Sequence, residues 1–124
     1  MSIEAETVVN DLCKVRAELN INEIMDFFTE EAVVHFIPMK PAVGKEEIRK
    51  TIEDVLKGVT WAEYKVLHSA SNDNIVFNER VDSFEAGGKR VSIPVIGIFQ
   101  ITPNDKIKAW RDYFDMEMFT AQMK

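Results

Sequence analysis

Two short segments place charged residues where β-strands normally bury apolar ones: Glu-Arg-Val-Asp at 79–82 and Trp-Arg-Asp-Tyr-Phe-Asp at 110–115. Side chains alternate between faces along a strand, so Arg80 and Asp82 share one face. Asp112 shares a face with the tryptophan and the phenylalanine of its segment. An ionised side chain in such an apolar setting needs a partner. We therefore predict one cluster in which Arg80 lies between the carboxylates of Asp82 and Asp112.

The other groups with catalytic or metal-binding chemistry are isolated. His35 and His68 are far apart in the sequence and form no metal-binding pattern. Cys13 is the only cysteine, which excludes an internal disulfide and a cysteine-based zinc site, and its place on the apolar stripe of a predicted helix is typical of a buried thiol. The predicted cluster is the main candidate for chemistry. A buried ion network that only fixes the sheet has the same composition, so both alternatives stay open.

The composition predicts one domain spanning residues 1–124. The net charge is −6 with both signs interspersed, so the basic stripe of a nucleic-acid-binding protein is missing and anionic substrates are disfavoured. No run approaches the roughly 20 consecutive apolar residues of a membrane span. The first residues lack the basic and apolar regions of a secretory signal, so we expect a cytoplasmic protein.

Helical periodicity dominates the first half of the chain. Apolar residues three and four apart predict an amphipathic helix over 5–19, and a cap at Asn20 predicts a short second helix that reaches Phe28. An apolar run over 32–37 predicts a strand. A third amphipathic helix is predicted to end at Gly58.

The second half of the chain alternates between apolar and polar residues, as β-strands do. The turn signals separate four predicted strands and a terminal helical turn, at 61–69, 74–85, 89–102, 106–115 and 116–123. Helices followed by strands predict an α+β fold, with the helices packed on one face of a strongly curved, mixed and mainly antiparallel sheet. Pro94 and Gly97 interrupt a strong strand, which predicts a bend or bulge that curls the sheet.

A sheet curled over helices leaves a pocket, with the charged cluster at its floor. We predict that this pocket is apolar apart from the cluster and binds a small hydrophobic molecule. The inward-facing positions predict these lining residues: Val34, Phe36, Leu56, Asn78, Phe84, Ile93, Val95, Trp110 and Phe114. The opposite face of the sheet carries a mixed apolar and charged patch around Ile98, Arg111 and Tyr113, which predicts a homodimer.

Three segments resemble the limonene-1,2-epoxide hydrolase family. They are Glu-Arg-Val-Asp at 79–82, Val-Ile-Gly-Ile-Phe at 95–99 and Trp-Arg-Asp-Tyr-Phe-Asp at 110–115. The resemblance is dense over 75–119 and thinner, but in register, around His35 and the prolines that follow it. The family shares a cone-shaped fold with nuclear transport factor 2, ketosteroid isomerase and the SnoaL-like polyketide cyclases, and the resemblance implies that fold here.

The resemblance also implies one-step hydrolysis of a small hydrophobic epoxide, without a covalent intermediate, a cofactor or a metal. The position that matches Asp112 is the general base on water, and the position that matches Asp82 donates a proton to the epoxide oxygen. The position that matches Arg80 bridges the two carboxyl groups. One cationic bridge can hold two carboxyl groups in opposite protonation states, which simultaneous removal and delivery of a proton requires.

The sequence departs from the family's pattern on the first strand. Members of the family hold the water with a tyrosine and an asparagine, whereas this chain has Val34 and Phe36, whose side chains form no hydrogen bonds. Asn78 is the candidate to hold the water in their place. The alternative function is a non-hydrolytic isomerase, a cyclase or a binding protein for small hydrophobic ligands that retains the triad for structure.

Overall fold

The computed structural model describes residues 2–124, with side chains from Glu4 onward. Met1, the first residue of the segment in which no secretory signal is predicted, lies outside the described residues. The helices are α1 Ser2–Ala17, α2 Ile21–Met25, α3 Lys45–Leu56 and α4 Met116–Met123. Asn20 caps α2 as predicted, because its side-chain oxygen accepts hydrogen bonds from the backbone N–H groups of Asn22 and Glu23, at 3.0 and 3.3 Å. The predicted extension of α2 to Phe28 is wrong, since a strand begins at that residue.

Six strands form one sheet, and the described order across it is β2-β1-β6-β5-β4-β3. Their bounds are β1 Phe28–Ile37, β2 Ala42–Val43, β3 Val59–Asn72, β4 Ile75–Ala86, β5 Lys89–Ile101 and β6 Ile107–Tyr113. The pair β1 and β6 is parallel, and the other neighbouring pairs are antiparallel. The predicted α+β fold with a mixed, mainly antiparallel sheet is confirmed. The two-residue β2 was not predicted, because so short a strand has no periodicity to detect.

The parallel pairing of β1 with β6 sets the geometry of the site. Its register places Val34 beside Trp110 and Phe36 beside Asp112. Strand β5 lies on the other side of β6 and places Gly97 opposite Asp112. The two charged segments of the sequence are therefore separated by a single strand, β5.

Of the bend or bulge predicted at Pro94 and Gly97, the bulge is wrong. The register of β4 with β5 is continuous through both residues, with Pro94 opposite Val81 and Gly97 opposite Asn78. The pairing of β5 with β6 begins only at Ile96, so Pro94 has a neighbouring strand on one side and its missing N–H interrupts no ladder there. The register shifts occur elsewhere, within the pairings of β3 with β4, β1 with β6, and β5 with β6.

The helices cover the sheet and close its core. Helix α1 packs against β3 and β4, α3 against β1 and β2, and α4 against β5. The largest buried cluster combines α1, α2, α3 and the strands, and includes Leu12, Ile48, Phe99 and Trp110. Among residues 2–124, no helix is long and apolar enough to cross a lipid bilayer.

Candidate active site

Arg80 is completely buried and lies between two carboxylates. Its Nε and Nη2 donate to the two oxygens of Asp82, each at 2.9 Å, and Nη2 also donates to Asp112 Oδ2 at 2.8 Å. Nη1 donates to Asn78 Oδ1 at 3.0 Å. Strand alternation puts Asn78, Arg80 and Asp82 on one face of β4, so these contacts follow from the local structure of one strand.

Asp112 is held from a second direction by its own strand. The indole Nε1 of Trp110 donates to Asp112 Oδ1 at 2.7 Å, so both carboxylate oxygens accept a hydrogen bond from a buried donor. The indole is itself fixed, because it stacks on Phe28 and Phe99 and meets the ring of Phe36 edge-on. Asp112 therefore has one defined orientation.

The electrostatics of the cluster keep Arg80 charged. Burial alone would lower the pKa of the guanidinium, but the attraction of Asp112 and the hydrogen bonds and charge of Asp82 outweigh it, so the pKa lies well above its ordinary value. Arg80 therefore remains a cation at any physiological pH. It can stabilise a carboxylate on either side but cannot itself exchange a proton.

Gly97 makes room for this cluster. A Cβ at this position would collide with Arg80 Nη1 and would lie 2.7 Å from Asn78 Oδ1 and 2.9 Å from Asp112 Oδ1. The backbone of Gly97 has no positive φ, so the close approach of the charged side chains, rather than backbone conformation, explains the glycine. Gly97, which predicted a bulge, is instead required because no side chain fits beside the charged cluster.

A cavity of about 290 Å³ adjoins the two carboxyl groups of the cluster. Its wall includes Asp82 and Asp112 and five of the residues that the strand phases predict: Phe36, Phe84, Ile93, Val95 and Phe114. Most of the remaining wall is apolar. The structure thus brings together a polar floor and an apolar chamber, which is the usual form of a small-molecule site.

Four predicted lining residues lie behind the wall. Val34 and Trp110 are fully buried in the main core, where the indole forms the support of Asp112 rather than a surface for a ligand. Leu56 packs against that core, and Val55, the preceding residue of α3, lines the cavity in its place. Asn78 is buried beside Arg80 and is not part of the wall; its Nδ2 has no hydrogen-bond partner.

The wall also contains residues that the sequence analysis missed. They are Arg16, Met39, Asp54, Lys57, Val59, Tyr64, Ala86, Phe119 and Met123, in addition to Val55. Tyr64 is the cross-strand partner of Asp82, which the hairpin between β3 and β4 could have revealed. Arg16 follows Leu12 by four residues and so shares its buried helix face, a signal that helical spacing does contain. No local signal assigns Phe119, since α4 has no fully buried residue.

The isolated candidates stay outside the cavity. His35 Nε2 contacts the backbone oxygen of Met39 at 2.7 Å, and His68 Nδ1 contacts Glu79 Oε1 at 2.9 Å on the surface. Cys13 is buried, and desolvation raises the pKa of its thiol, which disfavours the reactive thiolate. Within the part of the chain that the structure describes, no group of three or more His, Cys, Asp or Glu side chains is placed to hold a metal ion.

Comparison with known proteins points to one family. The family model described as the limonene-1,2-epoxide hydrolase catalytic domain matches residues 4–124. A solved structure of a limonene-epoxide-hydrolase-like epoxide hydrolase from M. tuberculosis is similar with a TM-score of 0.84 and 20% sequence identity, covering 98% of this chain and 93% of that one.

Two further solved structures have the same fold. The epoxide hydrolase/cyclase-like enzyme SalBIII, described in pyran ring formation in the polyether salinomycin, is similar with a TM-score of 0.81 and 18% identity, over 91% of this chain and 92% of that one. A protein from Anabaena variabilis ATCC 29413, described as similar to nuclear transport factor 2, reaches a TM-score of 0.78 and 24% identity, over 90% and 87% of the two chains.

Proposed function

Because this chain belongs to the limonene-1,2-epoxide hydrolase family, we propose that it hydrolyses a small, hydrophobic epoxide to a diol. The observation that carries the proposal is the shared contact of Arg80 Nη2 with Asp82 at 2.9 Å and Asp112 at 2.8 Å, beside a largely apolar cavity. Both carboxyl groups lie on the cavity wall, so a bound epoxide can reach them.

The proposed reaction is a single displacement. Asp112 removes a proton from a water molecule while the water oxygen forms a bond to one epoxide carbon. The bond from that carbon to the epoxide oxygen breaks, and Asp82 delivers its proton to the released oxygen. Arg80, whose pKa is raised, stays a cation and holds the two carboxyl groups in opposite protonation states. The proton gained by Asp112 returns to Asp82 before the next turnover.

The orientation of Asp112 supports its role as the base. The indole of Trp110 and the guanidinium of Arg80 each occupy one lone pair of the carboxylate, and each oxygen has a second one for a water. A carboxylate held in this way needs little reorganisation before it takes a proton, which is how positioned groups contribute to rate. On this proposal, Trp110 is a positioning residue, and Asp112 is a catalytic one.

The test is a single-turnover reaction in ¹⁸O-labelled water, with the protein in excess over each member of a panel of terpene and aryl epoxides, both neutral and carboxylate-bearing. Attack by free water places ¹⁸O in the diol during the first turnover, whereas a covalent ester intermediate would place oxygen from the protein there. Asp112→Asn keeps the shape of the base but not its basicity, and it should lower the rate by about 10²–10⁴-fold. Asp11→Asn, a change at an exposed carboxylate, is the control.

A labelled diol that forms equally fast with Asp112→Asn would refute the assignment of the base. Absence of diol from every epoxide in the panel would refute the proposed hydrolysis. In both cases the circular dichroism spectrum and thermal unfolding of the variant are compared with those of the parent, so that loss of fold is not mistaken for loss of chemistry.

One observation favours a second candidate function. Phe36 lies on the cavity wall directly beside Asp112, so the region next to the base is apolar where a water would have to be held. A substrate that carries its own hydroxyl group could supply the nucleophile and close a ring instead. The same experiment separates the two functions, because a cyclised product contains no ¹⁸O.

A further inference from the structure

Arg16 is a cation on the cavity wall that is not neutralised by a contact. Within residues 4–124 its guanidinium forms no salt bridge and no hydrogen bond, and since Nη1 is shielded from solvent, a ligand would meet the group through its other two nitrogens. Arg80, by comparison, satisfies its charge with two carboxylates. An unpaired guanidinium at a largely apolar cavity is costly unless something else meets it.

Two aromatic rings fix the orientation of Arg16. Its Cζ lies 3.7 Å from the centroid of the Tyr64 ring and 4.8 Å from that of Trp110. Rings stack on the face of a guanidinium, whereas carboxylates bind to its N–H edge. The aromatic contacts therefore hold the group in place without using the donors that a ligand would need. Little further freedom is lost when a ligand binds to a group held in this way.

The formal charges around the cavity sum to zero when every acidic side chain is ionised. The charged wall residues, together with Arg80 behind them, comprise three cations and three acids: Arg16, Lys57, Arg80, Asp54, Asp82 and Asp112. The proposed mechanism requires a proton on Asp82, which leaves one positive charge in excess. The net charge of −6 for the whole chain therefore does not describe the cavity, and the expectation that anionic ligands are disfavoured does not apply there.

We infer that the ligand of this cavity carries a carboxylate, which Arg16 binds, on an otherwise apolar body. Two parallel N–H···O bonds match the geometry of a carboxylate, and such charge-assisted bonds are about twice as strong as neutral ones. The substrate class is then a small epoxide-bearing carboxylic acid. The epoxide in this substrate class and the excess positive charge rest on the proposed function, while the unpaired Arg16 on the cavity wall does not.

The test is calorimetric binding of a matched pair of unreactive probes, cyclohexanecarboxylate and cyclohexanecarboxamide. They share an apolar ring and differ in charge. The wild-type protein should bind the acid about tenfold or more tightly than the amide. Arg16→Met keeps the apolar stem and should reduce this ratio to about one, whereas Arg16→Lys keeps the charge without the paired donors and should give an intermediate ratio.

The matched control is Arg90→Met. Arg90 also lies over an aromatic ring, with its Cζ 4.0 Å from the centroid of Trp61, but it is outside the cavity. This variant should retain the full preference for the acid. Thermal unfolding of each variant is measured alongside. If Arg16→Met does not fold, the ratio of the affinities for the acid and the amide, measured in the wild type and in Arg16→Lys, tests the inference.

The inference is overturned if the wild-type protein binds both probes equally, if it binds neither at millimolar concentration, or if Arg16→Met retains the preference. Failure here is distinguishable from failure of the proposed function. A preference for the acid without diol formation from any epoxide leaves the anion site in place and removes hydrolysis. Diol formation without that preference does the reverse.

Discussion

At the scale of single residues, the site depends on a residue with no side chain. Gly97 lies opposite both Asn78 and Asp112 in the sheet, at the point where the side chains of the two neighbouring strands meet over β5. Any Cβ there would occupy the space of Arg80 Nη1. The cluster is therefore a feature of three strands, and the central strand contributes by leaving space.

We expect Gly97→Ala to destabilise the protein by about 1–3 kcal/mol, as overpacking of a filled core does. It should also abolish diol formation, because Arg80 must move away from the carboxylates. Urea unfolding measures the first effect. The control is Gly88→Ala, where nothing lies within 4 Å of the added Cβ and φ is 78°. It should cost only backbone strain, about 1–2 kcal/mol, with activity retained. A Gly97→Ala variant as stable and active as the parent would contradict the close packing.

We expect Phe36→Asn to raise diol formation by about tenfold, because one added hydrogen bond to the reacting water is worth a few kcal/mol at best. The side chain faces the cavity beside Asp112. Loss of the edge-on contact with Trp110, at 5.1 Å between ring centroids, should lower stability by about 3 kcal/mol. A polar substitution at Val34 would not place a hydrogen-bonding group in the cavity, since that residue is buried in the core.

The measurement is kcat at a temperature where thermal unfolding shows the variant to be folded. Phe36→Leu is the control, because it removes the aromatic ring without adding a hydrogen-bonding group, and it should give no increase. Addition of Asp112→Asn to Phe36→Asn should remove the gain. If the folded Phe36→Asn variant is no faster on any epoxide that the parent accepts, water positioning does not limit the reaction.

At the scale of elements, α4 closes one side of the cavity with few buried contacts. Its residues Phe119 and Met123 line the wall, and Phe119 packs on Phe84 with 5.9 Å between ring centroids. Asp115 caps the helix through Met118 N–H, at 3.1 Å. No residue of α4 is fully buried, so its attachment depends on contacts at a few points.

Gln122 is the polar part of that attachment. Its Oε1 accepts from the N–H of Ser92 at 2.8 Å, and its Nε2 donates to the carbonyl oxygen of Ser92 at 2.9 Å. We expect Gln122→Met, which keeps the length but not the two bonds, to speed hydrogen exchange of the 116–123 amides by about tenfold. Mass spectrometry of deuterium uptake measures this effect. Gln100→Met is the control, and unchanged exchange in Gln122→Met would show that apolar contacts alone hold the helix.

At the scale of the whole molecule, the sheet face away from the cavity is apolar at its centre. Phe77, Ile96 and Tyr113 are 42%, 45% and 43% exposed, and Ile96 pairs with Tyr113 across β5 and β6. Exposed apolar side chains gathered on one face are typical of a protein–protein contact. This patch includes the region around Ile98, Arg111 and Tyr113 for which the sequence predicted a homodimer.

We expect the protein to be a dimer at micromolar concentration, joined through this outer face. Ile96→Glu should convert it to a monomer, because two copies of an unpaired carboxylate would be buried at the interface. Light scattering coupled to size-exclusion chromatography gives the mass. Met118→Glu, at a similarly exposed apolar residue on α4, on the opposite side of the sheet, is the control and should remain dimeric. A monomeric parent protein would refute the prediction.

The sequence by itself determined the α+β fold, the face of each strand that carries Arg80, Asp82 and Asp112, and the need for these three to meet. Alternation along a strand is a local property, and burial of charge demands a partner wherever the fold places it. The family segments are local too. These features required no knowledge of how distant elements pack.

Only the tertiary structure decided which residues form the cavity wall and that Trp110 holds the carboxylate of Asp112. Arg16 and Phe119 come from opposite ends of the chain, and they meet the same cavity because α1 and α4 pack on the same sheet. Leu56 and Val55 are both apolar residues of α3, and only the packing of the helix shows that Leu56 meets the core and Val55 the cavity. Trp110 lies behind the wall because the register of β1 with β6 buries it. Packing between elements is non-local, so residues with the same local pattern can face the cavity or the core.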